Sequence, residues 1–170
     1  MRNIQMRGFT ILEMMVVISI VGVLMGFAGF SMQLFERRYY VERQVRQLLA
    51  DMMNARTRAL EANKACFVTM SSNSYQITED TNESGGLAPD SGDMVLGQST
   101  KQFRYQSQWT GTIIVDPKGI ISVSTHALLS NAAFAIRFDT AGGNADYDCI
   151  SVGPTRMRAG KWNGNKCAPK

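Results

Sequence analysis

With 170 residues, 45% of them hydrophobic and 19% charged, the chain suits one domain with a modest core. A net charge of +4 is too small to mark a nucleic-acid binder by bulk charge, and one histidine without a C-x-x-C pair gives no metal-site pattern. No nucleophile motif and no phosphate-cradling glycine loop occurs, so the chain reads as a non-enzyme without cofactor or metal.

The first element is set by "RGFTILEMMVVISIVGVLMGF". Between Phe9 and Phe35 the single charged residue is Glu13. Met14 to Phe35 supplies 22 residues, against the roughly 20 that an apolar helix needs to span a bilayer. A membrane-spanning helix is therefore expected. A carboxylate inside it costs on the order of 3 kcal/mol at the helix centre, which makes Glu13 a functional candidate. The basic "MRNIQMRG" precedes this run. A secretory signal places its cut after the apolar core; here the expected cut, after Gly8, stands before it. Such a cut keeps the helix and leaves a new α-amine on Phe9, four residues before Glu13.

Past Phe35 the helix is expected to continue. Val41, Val45, Leu48, Met52, Ala55, Ala59 and Ala62 recur at steps of four and three, forming one apolar face that Leu49, Met53 and Leu60 widen. Arg43, Arg46, Arg56 and Arg58 lie away from its centre, and neither Pro nor Gly falls between Ser31 and Asn63. Gly22, Gly26 and Gly29, inside the apolar part, would let neighbouring helices approach closely.

After Lys64 the period changes. "ACFVTM" and "SYQITE" read as two strands joined near "SSNS", and "TNESGGLAPDSGD" as a polar loop. "KQFRYQ" reads as a strand. "GTIIV" and "IISVS" flank "DPKG", a turn with Pro at its second position. "AFAIRF" and "YDCISV" flank the longer "DTAGGNAD". Asp139, Asn144, Asp146 and Asp148, in or beside that loop, carry oxygens of the kind calcium takes. Their spacing fits no metal-loop pattern, and a solvated hairpin is the expected reading. His126 reads as a loop or surface residue.

"GFTILEMMVVISIVGVL" resembles the class III leader and helix start of type IV pilins and pseudopilins. The resemblance implies that prepilin peptidase cuts between Gly8 and Phe9 and N-methylates Phe9. It further implies that the Glu13 carboxylate neutralises the α-amine of a neighbouring subunit, a role in register and recruitment. A buried charge with a partner is tolerable, and an unpaired one is not. "VRQLLADMMNARTRALEANKACFVTM" and "CISVGPTRMRAGKWNGNKC" resemble the helix-to-strand passage and the closing segment of the GspH/FimT group of minor pilins and minor pseudopilins. Thr155 stands where that group's Gly-Arg-x-Arg motif has its glycine, with Arg156 and Arg158 as the arginines and Gly153 displaced by two places.

The fold implied is α+β and pilin-like, one long N-terminal helix packed on a C-terminal antiparallel β domain. Its parts would be a leader (1–8), a transmembrane and filament-core half-helix (9–35) and a periplasmic domain (36–170). The first location is the inner membrane, single-pass, and the next is the pilus filament. Counting Lys and Arg alone gives the reverse orientation, since Arg37, Arg38, Arg43 and Arg46 follow the run and only Arg2 and Arg7 precede it. Some members of the group enclose the closing segment with two cysteines, which implies a Cys149–Cys167 disulfide. Such a bridge closes a loop of about 18 residues and is worth roughly 3 kcal/mol; a periplasmic domain permits it. Three cysteines allow other pairings. Cys66, beside Phe67 and Val68, reads as a buried free thiol.

The expected function is that of a minor type IV pilin that joins a pilus and helps start its assembly. The alternatives are a minor pseudopilin of a type II secretion system and a pilus-associated DNA-binding subunit. Expected partners are other pilins or pseudopilins, prepilin peptidase and the inner membrane, with DNA behind them. Residues 151–170 hold Arg156, Arg158, Lys161, Lys166 and Lys170 and no acid. Arg156, Arg158, Lys161 and Lys166 are the candidates for contact with DNA or a partner, since such a patch attracts phosphate backbones. Trp162 is expected to cover the edge of the core.

Overall fold

The main helix, α1 (Ile11–Ala62), starts where Thr10 caps it: the Glu13 N–H donates to Thr10 Oγ1 at 3.2 Å. Thr10 and Glu13 form the T-x-x-E spacing of a capping box, and an acid in the first turn also suits the helix dipole. The helix ends at Asn63, whose φ of 54° is left-handed, while the Lys64 N–H reaches back to the Ala59 carbonyl at 3.3 Å. That closing bond satisfies a carbonyl the last turn would leave orphaned. The computed structural model describes residues 9–97, 100–124, 133–138 and 145–170, without the side chains of 27–31 and 33–34. The chain forms two units, Met1–Glu36 and Arg37–Lys170.

In the first unit the described side chains of the apolar run point to solvent, from Phe9 to Met25. Among the described residues no helix is long and apolar enough to cross a membrane. The 22-residue span expected from the sequence runs across 27–31 and 33–34, whose side chains lie outside the description. Gly29, the leader with Gly8, and His126 also lie outside it.

In the second unit two antiparallel sheets and the later part of α1 enclose one core. The first sheet has the order β3 (Met94–Val95), β2 (Ser74–Glu79), β1 (Cys66–Met70), β5 (Gly111–Val115), β6 (Ile121–Val123), with β4 (Lys101–Gln102) also on β2. The second runs β10 (Cys167–Pro169), β9 (Met157–Trp162), β8 (Cys149–Val152), β7 (Phe134–Arg137). Val41, Val45, Leu48, Met52, Ala55 and Ala59 are buried, as their period predicts. They share the core with Val68, Ile113 and Val115 of the first sheet and Ile136, Ile150 and Val152 of the second. Phe103 joins the two sheets, stacked on Tyr75 at 5.1 Å and edge-on to Phe138 at 5.2 Å. Phe67 and Ile114, paired across β1 and β5, are buried outside that cluster.

Two sequence expectations change, and two segments whose form the sequence left open take a definite one. Met53 and Leu60 do not widen the buried face; they are 46% and 51% exposed. "KQFRYQ" is a strand only at Lys101–Gln102. Beyond it Gln44 takes the backbone over: its Oε1 accepts from the N–H groups of Arg104 (3.0 Å) and Tyr105 (3.2 Å), and its Nε2 donates to the Tyr105 carbonyl at 2.7 Å. A helix side chain thus replaces the neighbouring strand. The polar loop 81–93 is tied internally. Asp80 accepts from the N–H groups of Ser84 and Gly85, and Asp90 accepts from Asn82 and Gly92. The closing segment, finally, contains a hairpin, β9 with β10.

Candidate functional site

At the N-terminus Phe9 and Glu13 are both exposed, Phe9 just before the helix and Glu13 in its first turn. The cap bond runs from the Glu13 main-chain N–H to Thr10 Oγ1 and gives the Glu13 carboxylate no part in it; a Thr just before an apolar run is the sequence signal for such a cap. A Cβ built on Gly22 or Gly26 meets nothing within 4 Å, so nothing else in the described chain demands their smallness.

The disulfide joins Cys149 of β8 to Cys167 of β10, with Cα atoms 5.9 Å apart although β9 lies between the two strands in the sheet order. The reason is Gly160. It pairs with Cys149 on one side and Pro169 on the other, and a Cβ there would lie 2.3 Å from the Ala168 carbonyl oxygen. The bare backbone lets β10 fold close enough for the bridge to form.

The structure separates the basic residues of the closing segment. Arg156 and Arg158 are exposed on either side of buried Met157, as strand alternation requires. Both line a groove with Met53, Arg56 and Leu60 of α1. Lys166 lies at the other end of β9, beside a second groove with Trp162 and Phe134. Lys161 is half-buried and acts on Asp146. Lys170 is bound to Asp146 at 2.6 Å, which raises its own pKa and lowers that of the carboxyl. Trp162 is half-buried under the Arg137 guanidinium, 5.2 Å from the ring centre.

The oxygens considered for calcium have other tasks where they are described. Asp146 holds Lys170, and buried Asp148 accepts the Trp162 N–H at 2.6 Å. Asp139 and Asn144 lie outside the described residues. Among the described residues no group of His, Cys, Asp and Glu is placed to hold a metal.

Polar side chains that the sequence reading did not single out fasten α1 to the first sheet. Asp51 accepts from the Tyr75 hydroxyl and from Lys101 Nζ at 2.7 Å, and burial followed by that carboxylate raises the Tyr75 pKa. Arg58 Nε donates to buried Glu79 at 2.7 Å. Only the step from helix face to strand partner reveals these pairs, since they lie 21 to 50 residues apart.

Cys66 is free and buried, opposite Glu79. Burial pushes its thiol up to about 11 from 9.0, with Glu79 adding to the rise and Arg58 opposing it. The folded state therefore holds this proton more tightly than the unfolded chain. The stability it carries is complete below about pH 9 and is lost as pH rises toward about 11. Thermal melts across that range should show a falling Tm that is flatter in Cys66→Ala. Equal slopes in the two proteins would exclude the thiol as the source.

Two family models match the chain. One, described as the prokaryotic N-terminal methylation motif, covers residues 5–29 and so includes Gly8, Phe9 and Glu13. The other, described as type II transport protein GspH, covers residues 44–155 and stops just before Arg156. No curated protein and no solved structure gives a significant match.

Proposed function

Because the chain belongs to the family described as type II transport protein GspH, we propose that it is a minor type IV pilin, a subunit that joins a pilus and helps start its assembly. In this reading residues 1–8 are a leader that prepilin peptidase removes between Gly8 and Phe9. Residues 9–35 rest in the inner membrane and later in the filament core, and 36–170 face the periplasm. One observation carries the reading. From Phe9 to Met25 the large apolar side chains of the helix are 41–83% exposed, a continuous patch that water does not tolerate uncovered. Lipid covers it first and neighbouring helices afterwards, with Gly22 and Gly26 allowing close approach. Glu13 is the acid within that surface, and in this reading it meets the Phe9 amine of the next subunit.

Mass spectrometry of the membrane-extracted chain tests the processing. The expected N-terminus is N-methylated Phe9; an intact Met1 in cells that contain the peptidase would remove the reading. A second reading, a minor pseudopilin of a type II secretion system, is favoured by the wording of the family description. The two share anchoring and assembly chemistry. Deletion separates them: loss of pili supports the first, and loss of exoprotein export with pili intact supports the second.

A further inference from the structure

Two complementary surfaces lie at opposite edges of the first sheet. At the β6 edge, the turn between β8 and β9 is held against the rest of the unit. The Pro154 carbonyl accepts from the Ile121 N–H at 2.9 Å, and the Thr155 carbonyl accepts from Arg56 Nη1 at 2.7 Å. Between this turn and α1 runs a groove of about 500 Å³. Met53 and Leu60 give it an exposed apolar floor, and Arg56, Arg156 and Arg158 surround that floor. No acid lines it among the described residues. Gly119, in the turn before β6, packs so closely that a Cβ there would lie 3.3 Å from Leu60, so the floor is backed by main chain.

At the β3 edge stands the loop 81–93. It carries Glu83, Asp90 and Asp93 and no basic residue. Within it Leu87 is 67% exposed, and Met94, the first residue of β3, is 56% exposed. Lys64 approaches Glu83 only to 3.9 Å. Bonds from Asn82 and Gly92 hold the Asp90 carboxyl below its usual pKa, so it stays charged. The same bonds keep the loop in one shape and lower the entropy cost of presenting Leu87.

Three arginines thus surround an apolar floor at one edge, and the loop at the other carries an exposed leucine with two exposed acids, Glu83 and Asp90. We propose that the Leu87 loop of one copy docks in the arginine-rimmed groove of a second copy. Because donor and acceptor surfaces lie on opposite edges, the contact is head-to-tail and leaves both end surfaces free for further copies. The apolar floor favours this occupant over a nucleic-acid backbone, which needs the cations but gains nothing from Met53 and Leu60. The inference rests on the reading of the chain as an assembling subunit and names one contact within it.

The test uses the full chain in cells that assemble it. One copy carries the photoreactive residue p-benzoylphenylalanine in place of Leu87, and a second copy carries an affinity tag. After irradiation, mass spectrometry of the tagged copy should place the cross-link on Met53 or Leu60. Arg156→Glu with Arg158→Glu in the tagged copy should reduce it at least about tenfold, since like charges would then face each other. Glu83→Arg in the photoreactive copy, at an exposed acid outside the bonds that shape the loop, should restore it, which no misfolded variant would allow. A cross-link elsewhere, one confined to a single copy or to another protein, one insensitive to the charge reversal, or one abolished by nuclease overturns the proposal. Recovery of the chain in the filament fraction is scored in the same samples. Incorporation without the cross-link removes this contact alone, whereas absence of incorporation removes the assembly reading and the contact with it.

Discussion

Glu13→Gln should leave the chain anchored and its helix capped, yet lower its recovery in sheared filaments by more than about tenfold. In the proposed reading the partner amine would then be left unpaired in a buried contact, at a cost of about 3–5 kcal/mol. The cap bond is donated by the main-chain N–H of this residue to Thr10 Oγ1, so Gln removes the charge and leaves that bond in place. Glu13→Ala also keeps that main-chain bond and removes the charge together with the polar end of the side chain. Immunoblots of membrane and filament fractions separate the outcomes. If Gln assembles normally and Ala does not, residue 13 acts through a polar side-chain contact that needs no charge. If both assemble normally, no charge pairing at Phe9 is needed.

Gly160→Val should cost the domain its disulfide. The valine Cβ would begin 2.3 Å from the Ala168 carbonyl oxygen, and that atom belongs to main chain, which moves only with the whole of β10. Moving β10 separates Cys167 from Cys149. Loss of the bridge is worth about 3 kcal/mol for a loop of this size, and overpacking adds roughly 1–3 kcal/mol. A fall in Tm on the order of 10 °C follows for a domain of this length. Thiol titration of the denatured, unreduced protein should rise from the Cys66 thiol alone to all three cysteines. Cys149→Ser supplies the reference, since it removes the bridge without pushing β10. A Gly160→Val protein with an unchanged Tm and one free thiol would show that β10 does not approach β9 so closely.

Where a structural signal is local, the amino-acid order carried it. The period of Val41, Val45, Leu48, Met52, Ala55 and Ala59 marks a helix face because side chains three and four apart share one side. The strands β1, β2, β5, β6, β7 and β8 were legible from short apolar runs bounded by turn residues. The leader resemblance and the spacing of Gly8, Phe9 and Glu13 lie in consecutive residues, and the methylation-motif match covers the same stretch.

Partnership across the chain was decided only by the tertiary structure. β9 reads "MRAGKW", with no β-branched residue, and is a strand because β8 and β10 pair with it on both sides. β3 is two residues long and exists through its pairing with Thr78 and Glu79. β4 stops where Gln44, about 60 residues earlier, takes over the backbone bonds. Met53 and Leu60 carry the same apolar pattern as their buried neighbours, yet no strand among the described residues covers them, and burial is a property of what packs opposite. The five cations of the closing segment are close in sequence and divided in space. Strand alternation and the hairpin turn send Arg156 and Arg158 to the α1 groove and Lys166 to the other end of β9, while Asp146 binds Lys170. Composition determined that this segment is basic; only the folding of β9 between its neighbours determined which of its charges act together.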